Sequence, residues 1–64
     1  MSNISKTLRK LREAKGLSQE KLARLADVAN NTIIKIEAGK NTNPTLDTLQ
    51  KIAKALDVSI YDLL

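Results

Sequence analysis

Asn30 and Asn31 stand side by side, followed by Ile34 and Lys35, in the stretch Ala29-Asn30-Asn31-Thr32-Ile33-Ile34-Lys35-Ile36-Glu37-Ala38-Gly39-Lys40. An amide side chain donates and accepts at once, so it can pair in bidentate fashion with N6 and N7 of adenine. Lysine can reach guanine O6 and N7 or a phosphate, and isoleucine offers methyl surface suited to the thymine C5 group. The chemistry within reach is recognition of paired bases, with no bond made or broken.

Local propensity does not account for these residues. Asparagine is a mediocre helix former, and Thr32-Ile33-Ile34 adds three β-branched side chains that are stiff at χ1. At 100° per residue, Thr32, Ile33 and Ile36 gather on one side of a helix and predict a core-facing stripe. Asn30, Asn31, Ile34, Lys35 and Ala38 spread over about 140° of the other side, which carries no acid at its centre. A helix from Asn30 to Ala38 is about 13 Å long, a fair match to a major groove about 12 Å wide. Plainer uses exist for each residue. Asn30 or Asn31 can cap the helix, since the expected cap position holds Ala29. Lys35 can be an ordinary solvated lysine, and Ile34 can pack on lysine stems or on a partner protein.

The totals narrow the possible functions. Cysteine and histidine are absent, which removes disulfides, thiolate metal sites and the commonest general base. No nucleophile–base pair, metal-ligand spacing or glycine-rich phosphate loop can be assembled, so neither an enzyme nor a cofactor is expected. Tyr61 is the only aromatic residue, and single-strand binders need several stacking platforms. Apolar runs are too short to span a membrane, and the N-terminus lacks the apolar core of a signal peptide. A soluble, cytoplasmic protein follows as the expectation, with no membrane partner and no evident small-molecule ligand. The formal charge is +4, and its distribution matters more. Residues 1–40 hold nine Lys/Arg against four Asp/Glu, whereas residues 41–64 hold two against three. Any electrostatic footprint for nucleic acid therefore lies in the first forty residues; surplus surface lysine is the competing explanation.

Five short helices must position these groups, in one domain spanning residues 1–64. Ile4, Leu8, Leu11 and Lys15 recur at helical spacing, with Ser2 or Asn3 as cap and Gly16 as stop. Ser18 caps a second helix, Gln19 to Ala26, with Leu22, Ala23 and Ala26 facing inward. After the turn Asp27-Val28-Ala29 comes the third helix, ending at Gly39. Lys40-Asn41-Thr42-Asn43-Pro44 is turn chemistry. Thr45 caps a fourth helix whose Leu46, Leu49, Ile52, Ala53 and Leu56 share one face. Ser59, with Asp62 three residues on, opens a fifth through a capping box. The three-residue turn between helices two and three has the spacing of a helix-turn-helix.

The residues that carry a resemblance are Leu17-Ser18-Gln19-Glu20-Lys21-Leu22-Ala23, Val28, Thr32-Ile33, Ile36-Glu37-Ala38-Gly39-Lys40, Asn43-Pro44-Thr45-Leu46-Asp47-Thr48-Leu49, Ile52-Ala53-Lys54-Ala55-Leu56, Val58-Ser59-Ile60 and Asp62-Leu63-Leu64. In these the chain resembles the lambda-repressor-like, Cro-type helix-turn-helix family, also called the xenobiotic-response-element (XRE) family. Ile4, Leu8, Leu11 and Arg12 extend the match into helix one. The resemblance implies a compact, all-α, five-helix DNA-binding domain. It implies that Asn30, Asn31, Ile34 and Lys35 read bases. It places Ser18, Gln19, Lys40, Asn41, Thr42 and Asn43 on phosphates, with Gln19 also bracing the recognition helix. Arg12 and Glu37 correspond to a partly buried ion pair between helices one and three.

Several positions depart from the family pattern. Asp27 and Asp57 stand where glycine is common, which predicts left-handed aspartates and some strain. Ala29 replaces the usual Ser/Thr cap, and Thr45 replaces a minor-groove arginine found in some relatives. The expected function is a sequence-specific, double-stranded-DNA-binding transcriptional regulator, of repressor type, acting as a homodimer. Its pairing surface is expected at Ile60, Tyr61, Leu63 and Leu64. The alternative is a protein-binding module, antitoxin-like or antirepressor-like, on the same fold.

Overall fold

Serine, threonine and asparagine side chains start four of the five helices, each accepting from a backbone N–H that the helix itself leaves unpaired. The computed structural model describes residues 3–64. Helix α1 covers Ile4–Ala14, α2 Gln19–Ala26, α3 Asn30–Glu37, α4 Leu46–Leu56 and α5 Ile60–Leu63. Asn3, Ser18 and Thr45 cap α1, α2 and α4; the alternative α1 cap, Ser2, lies outside the described residues. At α5 the Ser59 hydroxyl accepts from the Tyr61 N–H, while Asp62 accepts from the Ser59 N–H at 2.9 Å. Among the described residues, only α3 opens without a side-chain cap, because Ala29 occupies that position. Among the described residues there is no strand, and the all-α, five-helix architecture expected from the sequence is the one that forms.

Four helices end in the same way. After α2, the Val28 N–H donates to the Ala23 carbonyl and the Asp27 N–H to that of Arg24. The pair Val58 to Ala53 and Asp57 to Lys54 repeats this after α4, as do Leu17 to Arg12 and Gly16 to Glu13 after α1. Lys40 to Lys35 and Gly39 to Ile36 close α3. This is the Schellman arrangement, which needs a left-handed residue at the turn. Glycines supply it twice, and Asp27 and Asp57 supply it at φ 58° each. Aspartate tolerates this region better than most residues, so the turn survives its substitution for glycine.

The core joins Ile4 and Leu8 of α1, Leu22, Ala23 and Ala26 of α2, Ile33 and Ile36 of α3, Leu49, Ile52, Ala53 and Leu56 of α4, and Leu63 of α5. Helix α2 packs on both α3 and α4, and α1 packs on α3 and α5. Four details differ from the sequence reading. Lys15 falls one residue beyond α1 and is exposed. Helix α3 stops at Glu37, with Ala38 as its cap. Leu46 is 63% exposed: it opens α4, where its apolar stripe runs past the elements that cover Leu49 and Ile52. Leu63 is fully buried, because α5 turns that side chain into the seam with α1 and α4. It therefore closes the core and is not a surface residue available for pairing.

Candidate nucleic-acid interface

Helix α3 presents two chemically distinct sides, as its sequence periodicity implies. Ile33, Ile36 and Glu37 are buried, Thr32 is half-buried, and Asn30, Asn31, Ile34, Lys35 and Ala38 are exposed. Among the described residues, neither amide side chain engages a partner within the chain, and no side chain caps the helix start. The capping role open to Asn30 or Asn31 is thus not taken up. Both amides, the Lys35 ammonium and the part-exposed Ile34 remain available to an outside surface.

The opposite side of α3 is fixed by Glu37. Its carboxylate accepts from Arg12 Nε at 2.6 Å and Arg12 NH2 at 3.0 Å, two parallel bonds from one guanidinium. The remaining arm of Arg12 donates to the Leu17 carbonyl at 2.6 Å. Gln19 Nε2 donates to the same carboxylate at 3.1 Å. Paired, bidentate geometry is the strong form of such contacts. Burial opposes the Glu37 charge, but the hydrogen bonds from Arg12 and then Gln19 outweigh it and hold the carboxyl below its ordinary value. The bond to Glu37 likewise raises the Arg12 guanidinium, against its own desolvation. No buried side-chain polar atom among the described residues lacks a partner. Three helices thereby meet at one carboxylate, and Arg12 ties the loop after α1 to the same cluster, which fixes the angle at which α3 stands out from the body.

Of the remaining sequence-derived positions, Ser18 and Gln19 lie at the start of α2 and the others in the loop after α3. Ser18 spends its hydroxyl as the α2 cap, accepting from the Lys21 N–H at 3.0 Å. Gln19 uses one N–H on Glu37 and keeps the other, as an amide has two. In the 40–43 loop, Asn41 accepts from the Asn43 N–H at 3.1 Å and so shapes the turn. Lys40, Thr42 and Asn43 are exposed.

At the far end, Tyr61 is 81% and Leu64 56% exposed, and Ile60 is half-buried against the core. One participant escaped the sequence reading altogether. Arg9 Nε stands 3.5 Å from Glu37 Oε1. Its spacing of three residues before Arg12 puts both on one face of α1, and that was the available signal. Among the described residues no group of His, Cys, Asp and Glu gathers to hold a metal, and no helix is long and apolar enough to cross a membrane.

These features have close counterparts in known proteins. A helix-turn-helix family model (HTH_3) matches residues 8–63. The chain is 38% identical over 61 residues to the HTH-type transcriptional regulator SinR of Bacillus subtilis, covering 95% of this chain and 55% of SinR. It thus spans about half the length of that curated relative. The crystal structure of the restriction-modification controller protein C.AhdI from Aeromonas hydrophila is similar, with a TM-score of 0.91 and 38% identity over 98% of this chain and 94% of that one. SinR, the master regulator for biofilm formation, in complex with DNA, is similar with a TM-score of 0.91 and 37% identity, over 94% of this chain and 95% of that one. With the family model matching residues 8–63 and the fold shared with these relatives, the chain belongs to the helix-turn-helix family HTH_3, the XRE-type, lambda-repressor-like group.

Proposed function

We propose that the chain, over residues 1–64, is a sequence-specific double-stranded-DNA-binding unit of a repressor-type transcriptional regulator. Its role is binding and not catalysis, and its place of work is the cytoplasm. The observation that carries this reading is the division of α3: one side locked through Glu37, the other offering Asn30, Asn31, Ile34 and Lys35 with both amides uncommitted. Asn30 and Asn31 are suited to adenine edges, Lys35 to guanine or a phosphate, and Ile34 to thymine methyl groups. Ser18, Gln19, Lys40, Asn41, Thr42 and Asn43 fix the register on phosphates, chiefly through the free N–H of Gln19, the Lys40 charge and the backbone of the loop.

Two copies pair through Ile60, Tyr61 and Leu64, presenting two α3 helices to successive turns of the duplex, about 34–36 Å apart. The exposure of Tyr61 and Leu64 supports this surface. Selection of duplexes from a random pool, followed by mass measurement in solution with and without the selected site, tests the reading. An enriched site with twofold symmetry and two chains per duplex is the expected result. Failure to retain any duplex at low ionic strength overturns it, and salt-insensitive binding to a protein in place of DNA would support the antitoxin-like or antirepressor-like alternative.

A further inference from the structure

We infer that Arg9 is a further phosphate-binding residue of the interface, held beside Gln19 by Glu37, so that α1 joins α2 and α3 in gripping the duplex; this rests on the DNA-binding reading above. The charge of Glu37 is already met. Arg12 takes both carboxylate oxygens at 2.6 and 3.0 Å and is itself nearly buried. Arg9 approaches Oε1 only to 3.5 Å, with its side chain 55% exposed, a distance and exposure at which an ion pair contributes little. The Arg9 guanidinium is therefore a surplus positive charge, oriented by the buried carboxylate without being consumed by it.

Its location gives that charge a use. Glu37 Oε1 accepts from Gln19 at 3.1 Å and lies 3.5 Å from Arg9 Nε. Arg9 of α1 and Gln19 of α2 thus both face one oxygen, which Arg12 NH2 also reaches, and both have N–H groups left over. A phosphate group with its several oxygens can accept from both, in the forked geometry for which arginine is suited. Among the described residues, Lys6 and Lys10, exposed on the same helix, form no ion pair that would aim them.

The test measures binding of the full chain to a random-sequence duplex across a salt series, by fluorescence anisotropy, with thermal melting alongside. Loss of one phosphate contact lowers the slope of log affinity against log salt by about 0.9. Arg9→Gln is expected to show that loss with an unchanged melting temperature, and Arg9→Lys to restore most of it. Lys54→Gln, which removes the same charge from α4, should leave the slope as it was. An Arg9→Gln slope equal to wild type overturns the assignment, as does an equal fall in Lys54→Gln. A drop in melting temperature without a change in slope makes Arg9 structural and also overturns it. Absence of any salt-dependent binding by the wild type removes the underlying reading instead, a result distinct from all of these.

Discussion

The Arg12 guanidinium and the Glu37 carboxylate meet edge to edge across 25 residues of sequence, with Nε 2.6 Å from Oε2 and NH2 3.0 Å from Oε1. Such a pair, once buried, costs most when one half is removed, since the other keeps its charge without compensation. Glu37→Ala or Arg12→Ala should lower stability by about 3–5 kcal/mol. A domain of this length holds only about 3–10 kcal/mol in all, so urea titration should find either variant largely unfolded or at the edge of it. Replacing both by apolar residues of similar volume should recover much of the loss.

Acid should act through the same carboxyl. Glu37 titrates below its ordinary value of 4.5 in the folded chain, so the unfolded chain takes up its proton first as pH falls. The associated stability is fully present above the ordinary value and is lost as pH drops through the folded one. Glu37→Gln should flatten this part of the acid limb when melting temperature is followed from pH 6 to about pH 2. A wild-type acid limb no steeper than that of Glu37→Gln would place the acid sensitivity elsewhere.

Helix ends offer room for improvement. Asp27 and Asp57 hold left-handed turns at φ 58°, and each also puts a carboxylate at the negative end of a helix dipole. Asp57→Asn keeps a side chain that tolerates this backbone and removes the charge. It should add about 0.3–1 kcal/mol, equivalent to roughly 2–6 °C for a domain of this size. Ala29 has the extended backbone of a cap, at φ −64° and ψ 142°, and no side chain to fill the role. Ala29→Ser should add about 0.5–1 kcal/mol, measured by the same melts.

Base reading and phosphate binding should separate under mutation. Asn31→Ala is expected to cost about 1–3 kcal/mol of affinity for the selected site and to relax preference at one base pair. Lys40→Ala should weaken binding to all duplexes alike and reduce the salt slope by about 1. Equal losses for Asn31→Ala on selected and random duplexes would deny it a reading role. Both variants should melt as the wild type does, because Asn31 and Lys40 are exposed.

Most of the fold was legible because its signals are local. Ser18, Thr45 and Ser59 mark helix starts, Gly16 and Gly39 mark stops, and the inward residues of α2 and α4 recur at helical spacing. Leu46 and Leu63 were misjudged for the opposite reason. Whether an apolar residue on a stripe is covered depends on how far neighbouring helices extend, which periodicity does not encode. The division of α3 into inner and outer sides was legible from 100° geometry, and so were the outward amides. The convergence of Arg9, Arg12, Gln19 and the Leu17 carbonyl near Glu37 was only partly legible. It depends on the relative placement of three helices, and only the Arg12–Glu37 and Gln19 parts came with the family pattern.

The outer side of α3 has a consequence for how such a molecule changes over time. Asn30, Asn31, Ile34 and Lys35 add little to holding the chain together, so exchanging them leaves the scaffold intact. On the proposed reading, new target preferences can be explored there, one side chain at a time, while folding selects the inner residues independently. A library randomised at those four positions should stay almost uniformly folded while scattering widely in the sequences it prefers.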